Sequence, residues 1–243
     1  MDRREYLKNV YFDTKGKVKT GHYGRLPRGF STTYQLDNEI NMTPIFESTN
    51  IEVINDDVLS VTGHFKNNKT LVLNLASEIC PGGGVAKGSM AQEEEIFRRT
   101  NYCFFLPRSL YPILPTNVIV TTNVTIVKDE NYEDLERPFT VSFIAAAAVR
   151  KPVLNRGKYN KQDYETMCQT IDNIFRTAYA LGYDTLILGA LGCGAFKNPP
   201  EIVANIFRNY SILYDGCFKN IIFSVMSRND DNHLIFSSTL GSF

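Results

Sequence analysis

The chain carries no excess charge of either sign: 26 Lys and Arg stand against 26 Asp and Glu, so the formal net charge is zero. A neutral chain lacks the broad basic face that sequence-independent duplex binding requires, and direct duplex nucleic-acid binding is not expected. An anionic ligand would have to be held locally, by backbone N–H groups and a few side chains, which points to a pocket. The five cysteines (Cys80, Cys103, Cys168, Cys193 and Cys217) are odd in number and include no C-x-x-C pair. Neither a disulfide framework nor a zinc site is suggested. His22, His64 and His233 are scattered, so no metal cluster is expected either. Long apolar runs are missing. The longest mainly apolar run, Val141 to Val149, is far too short to span a bilayer. No cationic-then-apolar leader opens the chain, because the stretch from Met1 to Thr20 is polar and charged. The expected setting is a reduced intracellular compartment, cytoplasmic or, in a eukaryotic or viral source, nuclear, with no membrane partner.

What is present suits one α/β domain. The 243 residues are 43% hydrophobic and 12% aromatic, enough to pack a core rather than remain a disordered polymer. No repeat, low-complexity tract or Pro/Gly/Ser linker divides them. Residues 1–49 read differently from the rest, because Gly16, Gly21, Gly24, Pro27 and Gly29 break any long periodicity. They are expected to form an N-terminal extension of short elements packed on a main domain spanning residues 50–243.

From Asn50 onward the pattern is regular. Ile51 to Ile54 reads as a strand followed by Asn55-Asp56-Asp57 turn chemistry. Thr70 to Ala76 reads as a strand buried on both faces. Ser89 is placed to cap a helix beginning near Ala91 that carries Ile96 and Phe97. Strands are expected at Asn117 to Asn123, Thr125 to Val127 and Phe139 to Ala147. Tyr159 to Leu181 reads as an amphipathic helix closed by Gly182. Then come a buried strand at Thr185 to Ala190, a helix from Pro199-Pro200-Glu201 to about Tyr210, and a last strand within Phe218 to Met226. Alternating strands and helices predict a three-layer α/β/α fold around a mixed, largely parallel sheet.

Two glycine clusters follow buried strands: Gly82-Gly83-Gly84 and Gly192-Cys193-Gly194. Open α/β sheets bind ligands at the carboxyl ends of their strands. Glycine there lets successive N–H groups converge on a phosphate, so two such loops suit a diphosphate. Either loop alone would pass as a tight turn. The first is followed by Gln92-Glu93-Glu94-Glu95, carboxyl groups able to protonate a leaving oxygen and then activate water. On spacing alone the same acids would equally suit the solvated first turn of a helix, where its dipole favours them.

The triplet Gly82-Gly83-Gly84, seven intervening residues and then Gln92-Glu93-Glu94 resembles the GGG-x(6–8)-QEE signature of poly(ADP-ribose) glycohydrolases. The surrounding LNLASEICPGGGVAKGSMAQEEEIF looks like the short, bacterial-type branch of that family, a macrodomain fold. LGALGCGAFKNPPEIVANIF is similar to the family's second phosphate-binding loop and following helix. The resemblance runs from Asn50 to Arg228, with IEVINDDVL, VSFIAAAAV and IIFSVM falling where that macrodomain has its strands.

The resemblance implies roles residue by residue. Glu94 would be the catalytic acid, and Glu93 would bond the neighbouring ribose and orient the polymer. Gln92 would fix the loop through its backbone, and Glu95, outside the signature, would face solvent. The main chain of Gly82, Gly83 and Gly84 would line the distal ribose and diphosphate, with Gly192, Cys193, Gly194 and Ala195 clasping the diphosphate from the other side. Phe196 would pack on the distal ribose, or anchor the loop to the core. Asn74 would reach the distal ribose or cap the loop. Asp57, or its neighbour Asp56, would contact adenine; an aromatic partner for adenine is not identified, with Phe236 as a candidate that also reads as core.

The implied reaction is hydrolysis of the ribose–ribose O-glycosidic bond of poly(ADP-ribose). It would act mainly from chain ends, release ADP-ribose as product, and use no cofactor and no metal. The protein is expected to act as a monomer. Three other readings stand beside this one. The same pocket would serve a hydrolase of mono-ADP-ribose on protein or nucleic acid, or a non-catalytic ADP-ribose-binding module. A nucleotide phosphatase would want a nucleophile such as Cys193.

Overall fold

The most continuously apolar stretches of the chain become the middle of one sheet. In the computed structural model, residues 2–35, 41–115, 117–227 and 229–241 are described. Arg228, the far end of the family resemblance, lies outside the described residues, as do parts of the expected N-terminal extension. Strands β3 (Thr70–Leu75), β6 (Thr185–Leu188) and β7 (Asn220–Ser224) are buried at nearly every position, as strands covered on both faces must be. They are flanked by β5 (Asp134–Ala146) on one side and β2 (Asn50–Ile54) on the other. All five run parallel. Antiparallel β4 (Val118–Lys128) and the polar edge strand β1 (Phe30–Tyr34) complete a seven-stranded sheet of order β1-β4-β5-β3-β6-β7-β2.

Period-two alternation divides the strand residues between two cores. Leu71, Leu73, Ile144, Leu186 and Ile221 face a cluster built on α4 (Lys161–Ala180), α5 (Pro200–Leu213) and α6 (Asn232–Leu240). Val72, Phe143, Ile187 and Ile222 face α2 (Val58–His64) and α3 (Gln92–Arg99). The result is the expected three-layer α/β/α architecture around a mixed, mostly parallel sheet. Tyr164 of α4 stands 43% exposed, whereas Met167, Ile171, Ile174, Phe175 and Ala178 are fully buried. Phe236 is likewise fully buried, packed against Phe207 and Phe223, which makes it core and not a partner for adenine. No helix among the described residues is long and apolar enough to cross a membrane.

The start of the chain is more ordered than its glycines suggest. A single 17-residue helix, α1 (Arg3–Lys19), runs through Gly16. It buries only Leu7, Val10, Tyr11 and Thr14, one narrow stripe among charged residues, so its periodicity is faint in the sequence. Lys17, Tyr23 and His22 all reach Asp134 at the start of β5, and buried Lys128 bonds the same carboxylate at 2.8 Å. Burial opposes it, but Lys128, Lys17 and the Tyr23 hydroxyl hold the Asp134 carboxyl well below the usual carboxylate range. Helix α1 thus packs on α3 and on the loop before it.

Candidate active site

The parallel strands end along one edge of the sheet, and a cavity of about 560 Å³ opens there, the place where open α/β sheets bind ligands. Asp56 and Asp57 past β2, and Ser224 and Val225 at the end of β7, line one end of it. Gly192, Gly194, Ala195 and Phe196 past β6 line the middle. Gly83, Gly84 and the α3 residues Gln92, Glu93 and Glu94 line the wall beyond β3, with Ala148 and Arg150 past β5. Asn74, Gly82 and Cys193 do not line it, and the first two are buried.

The first glycine loop is built around the acids. Gln92, at the start of α3, accepts from the Leu75 N–H at 2.9 Å and donates to the Leu73 carbonyl at 2.7 Å. It therefore pins the helix to β3 and not to the glycine loop. Glu93 is 3% exposed. It accepts from the Ser77 N–H at 2.8 Å, the Gly82 N–H at 3.1 Å and the Asn74 amide at 3.3 Å, and Asn74 is fully buried beside it. Glu94 is 7% exposed. Its Oε1 accepts from the Gly84 N–H at 2.9 Å, and its Oε2 is buried with no hydrogen-bond partner among the described residues. Glu94 thus has one oxygen fixed and one without a partner among the described residues, whereas both oxygens of Glu93 are engaged. Gly83 takes φ +50°, and a Cβ there would come within 2.7 Å of Glu94 Oε1, so glycine is the residue that lets the carboxyl approach the loop. The amides of Gly82 and Gly84 are engaged by glutamates and are not open to a phosphate.

Burial, reinforced by the neighbouring Glu94, pushes the Glu93 carboxyl up to about 8 from an ordinary 4.5, although three N–H donors oppose the shift. Because the folded value lies above the unfolded one, the native state holds a proton between pH 4.5 and 8 that the unfolded chain has lost. Stability from this group is complete below 4.5 and is lost as pH rises through 8. Thermal melts across that window are expected to show the midpoint falling with pH, and Glu93→Gln is expected to flatten the fall. An unchanged slope in the variant would contradict the assignment.

Two expectations around these acids are corrected. Ser89 does not cap α3: Ala91 occupies that position without a side-chain cap, and the Ser89 carbonyl is taken by the Arg98 guanidinium. Glu95 does not face solvent freely. It pairs with Arg98 at 2.7 Å and accepts from the Tyr132 hydroxyl at 2.9 Å, because α3 turns it toward the β4–β5 hairpin.

The second loop offers what the first withholds. Asn198, 2% exposed, donates to the carbonyls of Val149 and Gly192 and accepts from the Tyr159 hydroxyl at 2.7 Å. This fixes the loop while the N–H groups of Gly192, Gly194, Ala195 and Phe196 make no hydrogen bond among the described residues. Free backbone N–H groups on a glycine loop are donors of the kind that can hold an anion. Gly192 holds φ +74°, and a Cβ there would come within 2.5 Å of the Ala148 Cβ. Burial pushes the Cys193 thiol up, with Glu201 and Asp230 adding to the effect; a thiol kept protonated is a poor nucleophile.

At the other end, Asp57 caps α2 through the Leu59 and Ser60 N–H groups and pairs with buried Arg99. Asp56 is exposed and uses one oxygen to accept from the Asp57 N–H at 2.7 Å. Phe196 is the one aromatic side chain among the described residues lining the cavity. Met226, 45% exposed, lines the Asp56 end. No three His, Cys, Asp or Glu side chains among the described residues gather to hold a metal ion. Sequence reasoning missed Arg150, although a charge directly after a buried strand is a signal for that edge of the sheet. It also missed Arg98 and Arg99, which tie α3 to Leu7 and to Asp57, both far away in the chain.

Residues 16–114 match the family model described as the catalytic domain of microbial-type PARG. The match begins inside α1 and takes in the first glycine loop and Gln92-Glu93-Glu94. A search of curated proteins finds no match. Among solved structures, the poly(ADP-ribose) glycohydrolase of Thermomonospora curvata is 21% identical, with 97% of this chain and 100% of that one covered and a TM-score of 0.79. The same enzyme bound to the inhibitor ADP-HPD is 21% identical, with coverages of 96% and 99% and a TM-score of 0.78. A point mutant of the Deinococcus radiodurans enzyme in complex with ADP-ribose is 25% identical, with coverages of 81% and 86% and a TM-score of 0.71. The fold is shared end to end, and the family's sequence pattern covers the loop and helix that carry the acids. Residues 16–114 thus resemble the catalytic domain of microbial-type PARG, and the chain shares the fold of the bacterial poly(ADP-ribose) glycohydrolases of Thermomonospora curvata and Deinococcus radiodurans.

Proposed function

We propose that this protein hydrolyses the ribose–ribose O-glycosidic bond of poly(ADP-ribose), mainly from chain ends, releasing ADP-ribose. The observation that carries the reading is Glu94: one carboxylate oxygen tied to the Gly84 N–H and the other buried at the cavity wall without a partner. The terminal ADP-ribosyl unit lies along the cavity. Its adenine sits toward Asp56 and Asp57, its diphosphate on the free amides of Gly192, Gly194, Ala195 and Phe196, and its distal ribose between Phe196 and Glu94. Glu94 gives its proton to the departing hydroxyl as the C–O bond breaks and positive charge develops on the distal ribose. The adjacent diphosphate stabilises that charge. The Glu94 carboxylate then takes a proton from water as the water oxygen bonds the anomeric carbon, restoring the acid. Glu93 bonds Asn74, Ser77 and Gly82 and holds the loop against β3.

Two supporting features concern setting. A net charge of zero offers no general attraction to duplex nucleic acid, and the five cysteines are all free, as suits a reducing compartment. Poly(ADP-ribose) and mono-ADP-ribosylated protein offered side by side test the substrate. Free ADP-ribose should come from the polymer, as monomer from the first turnovers. Oligomers appearing first would overturn the end preference, and release from the mono-modified protein alone would overturn the polymer reading.

A further inference from the structure

Arg150 is the one cation among the described residues lining the cavity, which otherwise carries the carboxylates of Asp56, Asp57, Glu93, Glu94, Glu95 and Asp230. Its guanidinium lies over the Phe196 ring, 5.5 Å from the centroid. One nitrogen, Nη1, donates to Glu78 Oε1 at 2.9 Å. No other hydrogen bond from this guanidinium is made among the described residues, and the side chain is 50% exposed. Arg150 therefore bridges the two loops, Glu78 on the first and Phe196 on the second, with donors to spare. Its place follows from the strand order. Strands β2 and β7 lie at one end of the parallel set and β5 at the other; Asp56 and Asp57 follow β2, and Arg150 follows β5. The ADP-ribosyl unit proposed above begins at the β2 end and reaches its glycosidic bond at Glu94. What lies beyond that bond is the leaving unit, and Arg150 is at that end. Exposed Ile79 lines the same stretch beside Glu78.

We propose that Arg150 is a leaving-side specificity residue that binds a phosphate of the nucleotide unit beyond the scissile bond, so that the site favours polymer over a single ADP-ribose on an uncharged aglycone. This rests on the glycohydrolase reading. In a polymer the departing hydroxyl belongs to an adenosine ribose whose 5′ carbon carries the next diphosphate. A guanidinium matches a phosphate through parallel N–H donors, and a charge-assisted bond of this kind is stronger than a neutral one. Glu78 and Phe196 hold the guanidinium in place before substrate arrives.

The test compares two substrates in the intact protein: poly(ADP-ribose), and ADP-ribose carrying 4-nitrophenol at the distal anomeric carbon, whose leaving group has no phosphate. Arg150→Gln should lower kcat/KM for polymer about tenfold more than for the aryl substrate. Arg150→Lys, which keeps the charge, should recover part of that difference, and raised salt should shrink the wild-type preference. A parallel measurement of affinity, in a Glu94→Gln background, should show the advantage of an ADP-ribose dimer over ADP-ribose lost on adding Arg150→Gln. Equal losses on both substrates would overturn the proposal and leave Arg150 as a support for Phe196. A wild type that retains the dimer advantage but turns over neither substrate would overturn the hydrolase reading, and the turnover preference with it. No dimer advantage in an active enzyme would overturn the Arg150 proposal alone.

Discussion

Glu94→Gln is expected to cut release of ADP-ribose from poly(ADP-ribose) by about a thousandfold, within the range for removal of a general acid–base group. Affinity for ADP-ribose should stay within about threefold, since a neutral isostere keeps the contacts a bound product needs. The substitution keeps the side chain's shape and its acceptor for the Gly84 N–H, seen at 2.9 Å. What it removes is the proton that Oε2 would deliver, from an atom that makes no hydrogen bond among the described residues. Turnover measured beside calorimetric titration of ADP-ribose separates the two effects. A variant that binds normally and is nearly inert is the expected result. One that retains most of its rate would move the acid to another residue, and one that loses binding and rate together would make Glu94 a support of the loop.

The second large effect is on folding. Arg98→Ala is expected to destabilise the protein by on the order of 3–5 kcal/mol, the cost of leaving a buried charge network without one partner. For a domain of this size that corresponds to a midpoint lowered by roughly 10 °C. Arg98 is fully buried. Its Nε donates to the Leu7 carbonyl of α1 at 3.2 Å, its Nη1 to Glu95 at 2.7 Å, and its Nη2 to the Ser89 carbonyl just before α3. One planar fork thus joins α1, the end of the glycine loop and the helix that carries both acids. Thr14 of α1 adds a bond to the Arg98 carbonyl at 2.7 Å. Arg98→Lys should rescue little, because a single ammonium group cannot reproduce the fork. Chemical denaturation checks the loss, and a change below about 1 kcal/mol would show that α1 is held by its apolar stripe alone.

These two residues mark where the sequence is legible and where it is not. The buried strands around Leu71, Leu186 and Ile221 and the three-four spacing of α4 are periodic signals set by the core, and they read directly. The cavity's position follows too, because both glycine clusters end such strands. Beyond that, the expected roles of single residues were harder to see. Asn74 reads as an amide that reaches the ribose or caps the loop, and in the fold it donates to Glu93. Gln92 was expected to fix the glycine loop, yet its two bonds go to β3. Glu95 reads as solvated because one of its partners, Tyr132, lies outside α3 and 37 residues away. Helix α1 hides because four buried residues suffice to dock it, and β5 was read only from Phe139 because its first half is charged and stands out from the core. For Asn74, Gln92 and Glu95 the missing information includes a partner distant in sequence, which no local pattern carries.

The identity of the small product formed from poly(ADP-ribose) tests the central claim most directly. Mass spectrometry of the reaction of the unmodified protein is predicted to show ADP-ribose, the product of glycosidic cleavage beside Glu94. Phosphoribosyl-AMP would mean that the diphosphate, not the glycosidic bond, is broken. Bound ADP-ribose without any product would mean that the cavity reads its ligand without cleaving it.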